Sequence, residues 1–195
     1  MKNVAMNIIK SVVVGAVTLN LVSCTGASPS LTNLYQHGNV FGPQGDDVPK
    51  GSFRDYKTGK VYTRDSVKQM KVAGLLVGAR LGSEEQRNWS QFSSVHASSV
   101  NVNGRQMSSG GYVTQKQREI AALSNRRYDI VGQIKPEMQG DVVVVPVKVL
   151  FDREEQEGNL RVISHLNYRF FVRNEGGRSV IFKESMTENR LSASD

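Results

Sequence analysis

Leu160-Arg161-Val162-Ile163-Ser164-His165-Leu166-Asn167-Tyr168-Arg169-Phe170-Phe171-Val172-Arg173 decides the fold of this chain. Leu160, Val162, Leu166, Tyr168, Phe170 and Val172 share one side of an extended backbone, and Arg161, His165, Asn167, Arg169 and Arg173 share the other. A period of two is the pattern of a strand with one face on a core and one in water. Asn174-Glu175-Gly176-Gly177 turns the chain, and Ser179 to Met186 reads as a returning strand. Upstream, Asp141 to Phe151 is nearly all aliphatic, as in a strand buried on both faces, and Pro146 implies an edge position or a bulge there. Asp152, Glu154, Glu155 and Glu157 fall between two strands and read as a solvated hairpin loop. The sum is a C-terminal three-strand antiparallel meander followed by a polar tail from Thr187 to Asp195.

Further upstream the pattern becomes mixed. Tyr128 to Ile134 reads as a short strand ended by Lys135-Pro136. Before it, Thr114 is placed to cap a helix that carries Glu119, Ile120 and Leu123, with Arg126 and Arg127 toward its C-terminal end. Residues 93–111 are rich in Ser, Gly and Asn, and Val100-Asn101-Val102 before Asn103-Gly104 signals a type I′ hairpin. Lys60-Val61-Tyr62 reads as a short strand. Thr63 or Asp65 then caps a helix to about Leu81, with Val67, Met70, Gly74, Val77 and Leu81 on one stripe. Ser83-Glu84-Glu85-Gln86 reads as a fresh N-cap. The expected fold class is α+β, with one or two helices packed on an antiparallel sheet, over residues 60–195.

The chain has 195 residues, a formal charge of +7 and one cysteine, Cys24. One cysteine forms no disulfide within the chain and no Cys-rich zinc site. Lys2 and Lys10, with no acid, precede the apolar run Val12 to Val22. That run is too short for the ~20 residues a spanning helix needs, and it has the layout of a secretory signal. The four residues Leu21-Val22-Ser23-Cys24 resemble the lipobox of bacterial lipoproteins. The resemblance implies cleavage before Cys24, a diacylglyceryl group on its sulfur, and a lipid-anchored chain. Thr25, where an Asp would mark retention in the inner membrane, implies the outer membrane. Residues 1–23 are then the signal peptide and 24–59, punctuated by Gly and Pro, a flexible tether. Phe53 and other isolated aromatics leave open that parts of it dock on the domain. Losing the two signal lysines lowers the charge to +5.

Candidate chemistry is sparse. His37, His96 and His165 stand in unrelated settings, and no G-x-S-x-G, H-E-x-x-H, P-loop or dinucleotide pattern occurs. No cofactor or metal is expected, and the chain reads as no enzyme. Gly74, Gly78 and Gly82 recur every fourth residue and resemble the glycine zippers of envelope proteins; packing on a sheet or loop is the alternative. The stripe Arg161, His165, Asn167, Arg169, Arg173 is either a solvated face or a dock for an anionic surface. Nucleic acid is not an expected partner, because the basic residues are not interleaved with exposed aromatics. The leading expectation is an accessory subunit of an envelope assembly, such as a secretion or conjugation system, anchored in the bilayer through Cys24 and binding envelope proteins. A binding module for an anionic envelope polymer (lipopolysaccharide or peptidoglycan) and an envelope hydrolase are the alternatives.

Overall fold

Thr63 starts the first helix by folding its side chain forward, so that Oγ1 accepts from the Ser66 backbone N–H at 3.1 Å. The computed structural model describes residues 52–55, 58–155 and 160–194. The expected signal, the lipobox residues Leu21, Val22, Ser23 and Cys24, and most of the 24–59 tether lie outside the described residues. Within them, strand β1 (Ser52–Arg54) pairs with β2 (Val61–Thr63), and Phe53 packs against the main core. That part of the expected tether is docked on the domain.

Helix α1 spans Arg64–Glu85 and so runs past Leu81. Ser83-Glu84-Glu85 forms its last turn and not a new N-cap, because Ser83 Oγ donates back to the Arg80 carbonyl at 2.8 Å. The next helix, α2 (Trp89–Ser94), is capped by Asn88, whose Oδ1 accepts from the Gln91 N–H at 3.1 Å. Helix α3 (Ser109–Ala121) begins well before Thr114, on a Ser108 hydroxyl that accepts from the Gly111 N–H at 3.1 Å. Gly110 and Gly111 sit in its first turn and disguise it, since glycine is a poor helix former. Three helices thus pack among the described residues, and none is long and apolar enough to cross a membrane.

The large sheet contains β3 (His96–Val102), β4 (Arg105–Ser108), β5 (Leu123–Val131), β6 (Glu137–Gln139), β7 (Val142–Glu155), β8 (Leu160–Glu175) and β9 (Arg178–Ser194). Its order is β4-β3-β9-β8-β7-β5, with β6 also on β7; β3 and β9 run parallel and the other pairs antiparallel. The α+β class and the C-terminal meander are present as expected. The β3–β4 turn has φ 49° at Asn103 and 88° at Gly104, the two left-handed residues of a type I′ turn.

Four features of the sheet also differ from the sequence expectation. Arg126 and Arg127 belong to β5, not to a helix end. Asp152, Glu154 and Glu155 lie in β7 itself. That strand continues because Arg153 turns inward, where Glu155 and Glu188 flank its guanidinium at 2.9 and 2.8 Å. Thr187 to Ser194 pairs along β8 and is no free tail. β7 is also interior, not an edge, and it is exposed at Pro146 and Lys148. Pro146 is tolerated because β6 pairs only as far as Val144 and β5 only from Lys148, so the missing N–H falls in the gap.

Val67, Met70, Ala73, Val77 and Leu81 of α1 pack on the inner face of β7 and β8 to form the core. β9 joins it through an irregularity: Phe171 pairs with Lys183 and Val172 with Ile181, which leaves Phe182 as an extra residue. This bulge puts Ile181 and Glu184 on the same inner face, although a period of two would separate them. Gly74 faces the Pro136 ring, where a Cβ would stand 3.7 Å from Cγ, and a Cβ on Gly82 would meet nothing within 4 Å. Among the described residues, Gly74 and Gly82 thus border a loop and open space, not a second helix, and Gly78 between them is half-buried. α1 has no basic residue in its last turn. Arg126 of β5 supplies one, its Nη2 donating to the Glu84 and Glu85 carbonyls at 2.9 and 2.8 Å.

Candidate functional site

Two arrangements of charged residues stand out, one inside the sheet and one outside it. Inside, Arg80 is fully buried on α1 and its guanidinium is enclosed by acceptors. Nε and Nη2 reach the two Glu184 oxygens at 3.1 Å each, Nη2 also donates to the Tyr112 hydroxyl at 2.9 Å, and Nη1 donates to Glu84. Phe92 lies under the same group, 4.7 Å from Cζ to the ring centroid. Glu184 accepts further from Tyr112 Oη at 2.7 Å and His96 Nε2 at 2.6 Å. The other imidazole nitrogen, Nδ1, faces the Phe92 carbonyl at 2.6 Å. Both contacts are hydrogen bonds only if each ring nitrogen carries its hydrogen, because carboxylate and carbonyl oxygens only accept. Lys116 of α3 approaches Glu84 at 3.8 Å and pairs with Glu119 at 2.8 Å, and Tyr128 donates to Glu84 at 3.2 Å.

The electrostatics follow from this enclosure. Burial alone would raise the Glu184 carboxyl, but Arg80 and His96 reverse that and hold it far below the ordinary carboxylate range. Glu84 is likewise lowered, against its burial, by Arg80 and Lys116. Lys116 is raised, against its burial, chiefly by Glu84. Burial pushes the Tyr168 phenol up to about 12 and the Tyr112 phenol well above 10. The cluster is therefore a satisfied network of fixed charges. His96 was visible in the sequence only as an isolated histidine. Arg80 and Glu84 carried only a positional signal: they fall at the spacing of Val67, Met70 and Val77, while their charge reads as a surface residue's.

Outside, the stripe is placed as the alternation predicts, on the face of β8 opposite the core. Its members are not equivalent. Arg161 is held by Asp152 at 2.7 Å, and Arg173 Nε donates to Glu175 at 2.8 Å. The Arg161 hydrogen bond lowers the Asp152 carboxyl. Arg169 has no ion pair among the described residues, and its guanidinium lies 5.8 Å from the Phe171 ring centroid. Exposed Asn167 sits between Lys148 of β7 and Thr187 of β9, and half-buried His165 lies between Leu150 and Asn189. The structure adds two cations that the strand sequence alone does not show: Lys148, and Lys183, whose Nζ lies 4.6 Å from the Phe171 centroid. Phe182, turned outward by the bulge, packs edge-on to Phe171 at 6.5 Å and lies under Arg173 at 4.3 Å.

The sequence matches no family model and no curated protein. Solved structures share the architecture. A hexachlorocyclohexane dehydrochlorinase of Novosphingobium barchaimii superposes with a TM-score of 0.56 at 13% identity, over 66% of this chain and 94% of that one. An uncharacterized Caulobacter vibrioides protein with a cystatin-like fold gives 0.54 at 12%, over 64% and 92%. An NTF2-like protein of Pseudomonas putida gives 0.53 at 11%, over 63% and 87%. The domain has the NTF2-like fold. Identities this low carry the fold alone. Even so, they correct the expectation of a non-enzyme, because the NTF2-like frame carries catalysis in the dehydrochlorinase. Nor does the NTF2-like fold single out a subunit of a secretion or conjugation machine.

Proposed function

We propose that this NTF2-like domain is a binding module that holds an anionic envelope polymer against the outer face of its sheet. One observation supports the reading: Lys148, Arg169 and Lys183 form a stripe across β7, β8 and β9 with no ion pair among the described residues. Their register places each diagonally from the next, about 7–8 Å apart. The Phe171 ring fixes two of these cations in place without neutralising them, as a carboxylate would. Arg161 and Arg173, at the ends of the face, already have acidic partners. The binding centre therefore lies around Arg169. The envelope address rests on residues 1–24: Cys24→Ser is expected to abolish membrane association and leave the domain folded, and an unchanged membrane fraction refutes the anchor.

Cosedimentation with purified peptidoglycan sacculi and, separately, lipopolysaccharide micelles tests the reading. Lys148→Glu with Arg169→Glu should abolish pelleting with the polymer that binds, Arg161→Ala should retain it, and binding should weaken steeply with salt. Pelleting unaffected by the double charge reversal overturns it. A second reading rests on the 2.6 Å His96–Glu184 contact in a fold that carries a dehydrochlorinase. It requires substrate to open the Phe92–Tyr112 cover. Chloride release from hexachlorocyclohexane, lost in His96→Gln, supports it; release no faster than in buffer removes it.

A further inference from the structure

Along one flank of α3, where the helix runs beside the edge strand β4, lies an open groove of about 530 Å³. That size is within the range of small-molecule sites. Arg105 and Met107 form one wall, and Gly111, Thr114, Gln115, Arg118 and Glu119 form the other. The alternation along β4 and the three-to-four spacing along α3 turn these side chains toward each other. Met107 supplies an apolar floor, being half-buried against the Phe92, Val100 and Tyr112 cluster.

The charge of the groove is not balanced. Arg105 and Arg118 make no ion pair among the described residues, so both guanidiniums are available at its rim. Glu119 does not neutralise them, because Lys116 Nζ holds its Oε2 at 2.8 Å and Gln115 Nε2 donates to its Oε1 at 2.8 Å. A planar guanidinium is suited to paired hydrogen bonds with a carboxylate or phosphate, and two on opposite walls favour a ligand that ends in such a group.

We propose that the groove between β4 and α3 binds a small organic anion, its carboxylate or phosphate head between Arg105 and Arg118 and its apolar body on Met107. The site is separate from the outer sheet face and stands whether or not that face binds a polymer. Its test is a nuclear magnetic resonance titration of the full-length protein, followed on the Met107 methyl and the Gly111 and Thr114 amides. Benzoate and phenyl phosphate are the probes, with benzyl alcohol as the uncharged control. At least one anion should give saturable shifts at these positions, and the anion that binds tighter identifies the head group. Benzyl alcohol, and Arg105→Ala with Arg118→Ala titrated with the anion, should each bind about tenfold more weakly or worse. Lys148→Glu with Arg169→Glu, on the other face, should bind the anion as the parent does. Shifts from neither anion, equal binding of benzyl alcohol, an unchanged titration in the Arg105/Arg118 variant, or equal loss in the outer-face variant each overturn the proposal.

Discussion

Glu184→Gln keeps the size of the side chain and removes its charge, and it isolates what the inner cluster contributes to folding. The carboxylate, 2% exposed, accepts four hydrogen bonds: from Arg80 twice, from His96 and from Tyr112. An amide offers one acceptor oxygen, so its NH2 group must face either Arg80 Nη2 or the Arg80 Nε and His96 Nε2 pair, donor against donor. Tyr112 can reverse its hydroxyl; the guanidinium cannot. Removing one partner of a buried ion pair costs about 3–5 kcal/mol, because the charge left behind is neither solvated nor paired. For a domain of this size that is a fall in Tm of about 10–20 °C. Urea unfolding followed by circular dichroism measures it directly. Asp152→Asn is the control: it breaks a pair whose arginine is 56% exposed, and its cost should stay below about 1 kcal/mol. A loss from Glu184→Gln no larger than the control's would refute the reasoning and mean that water reaches the cluster.

Three further outcomes follow from the same structure. Glu184 and Glu84 both titrate below the ordinary 4.5 when folded, so the stability they lend is complete above that pH and is lost as the pH falls through their folded values; Tm should be level from neutral to about pH 5 and drop below 4.5, with a shallower drop in Glu184→Gln. Gly104→Ala forces a side chain onto φ 88° and should cost about 1 kcal/mol in chemical unfolding, with the far-UV spectrum unchanged. Gly82→Ala adds a methyl that meets nothing within 4 Å inside a helix, so it should raise stability by roughly 0.5–1 kcal/mol; a loss would mean that the glycine face is covered by something else.

The sequence discloses features that depend on neighbours along the chain and hides those that depend on neighbours in space. The alternation from Leu160 to Arg173 gives the face of every residue in β8, and Asn103-Gly104 gives its hairpin, because both are local. The end of α1 is hidden because Arg80 and Glu84 look like surface residues until each is seen to be the other's partner. Ser108 outweighs two glycines in starting α3, a balance that propensity alone misjudges. Glu184 is concealed by the bulge at Phe182: counted by twos from Ile181 it points to water. Lys148 and Lys183 join the basic face only through pairing across strands, which no single strand records.

The Arg126 hydrogen bonds to the last carbonyls of α1 link two ends of the folding problem. A helix normally carries its own stop, in a glycine or a basic residue of its final turn. α1 has such a stop of its own, with Arg87 at φ 56° and the Arg87 and Asn88 N–H groups closing on the Glu84 and Ser83 carbonyls. It takes its basic partner from β5, the strand at the far edge of the sheet, two helices later in the chain. The Glu85 carbonyl at the end of that turn therefore gains its partner only when that edge is assembled. Native-state hydrogen exchange should show the amides around Arg87 and Asn88, which bond the same turn, opening together with those of β5 as one cooperative unit.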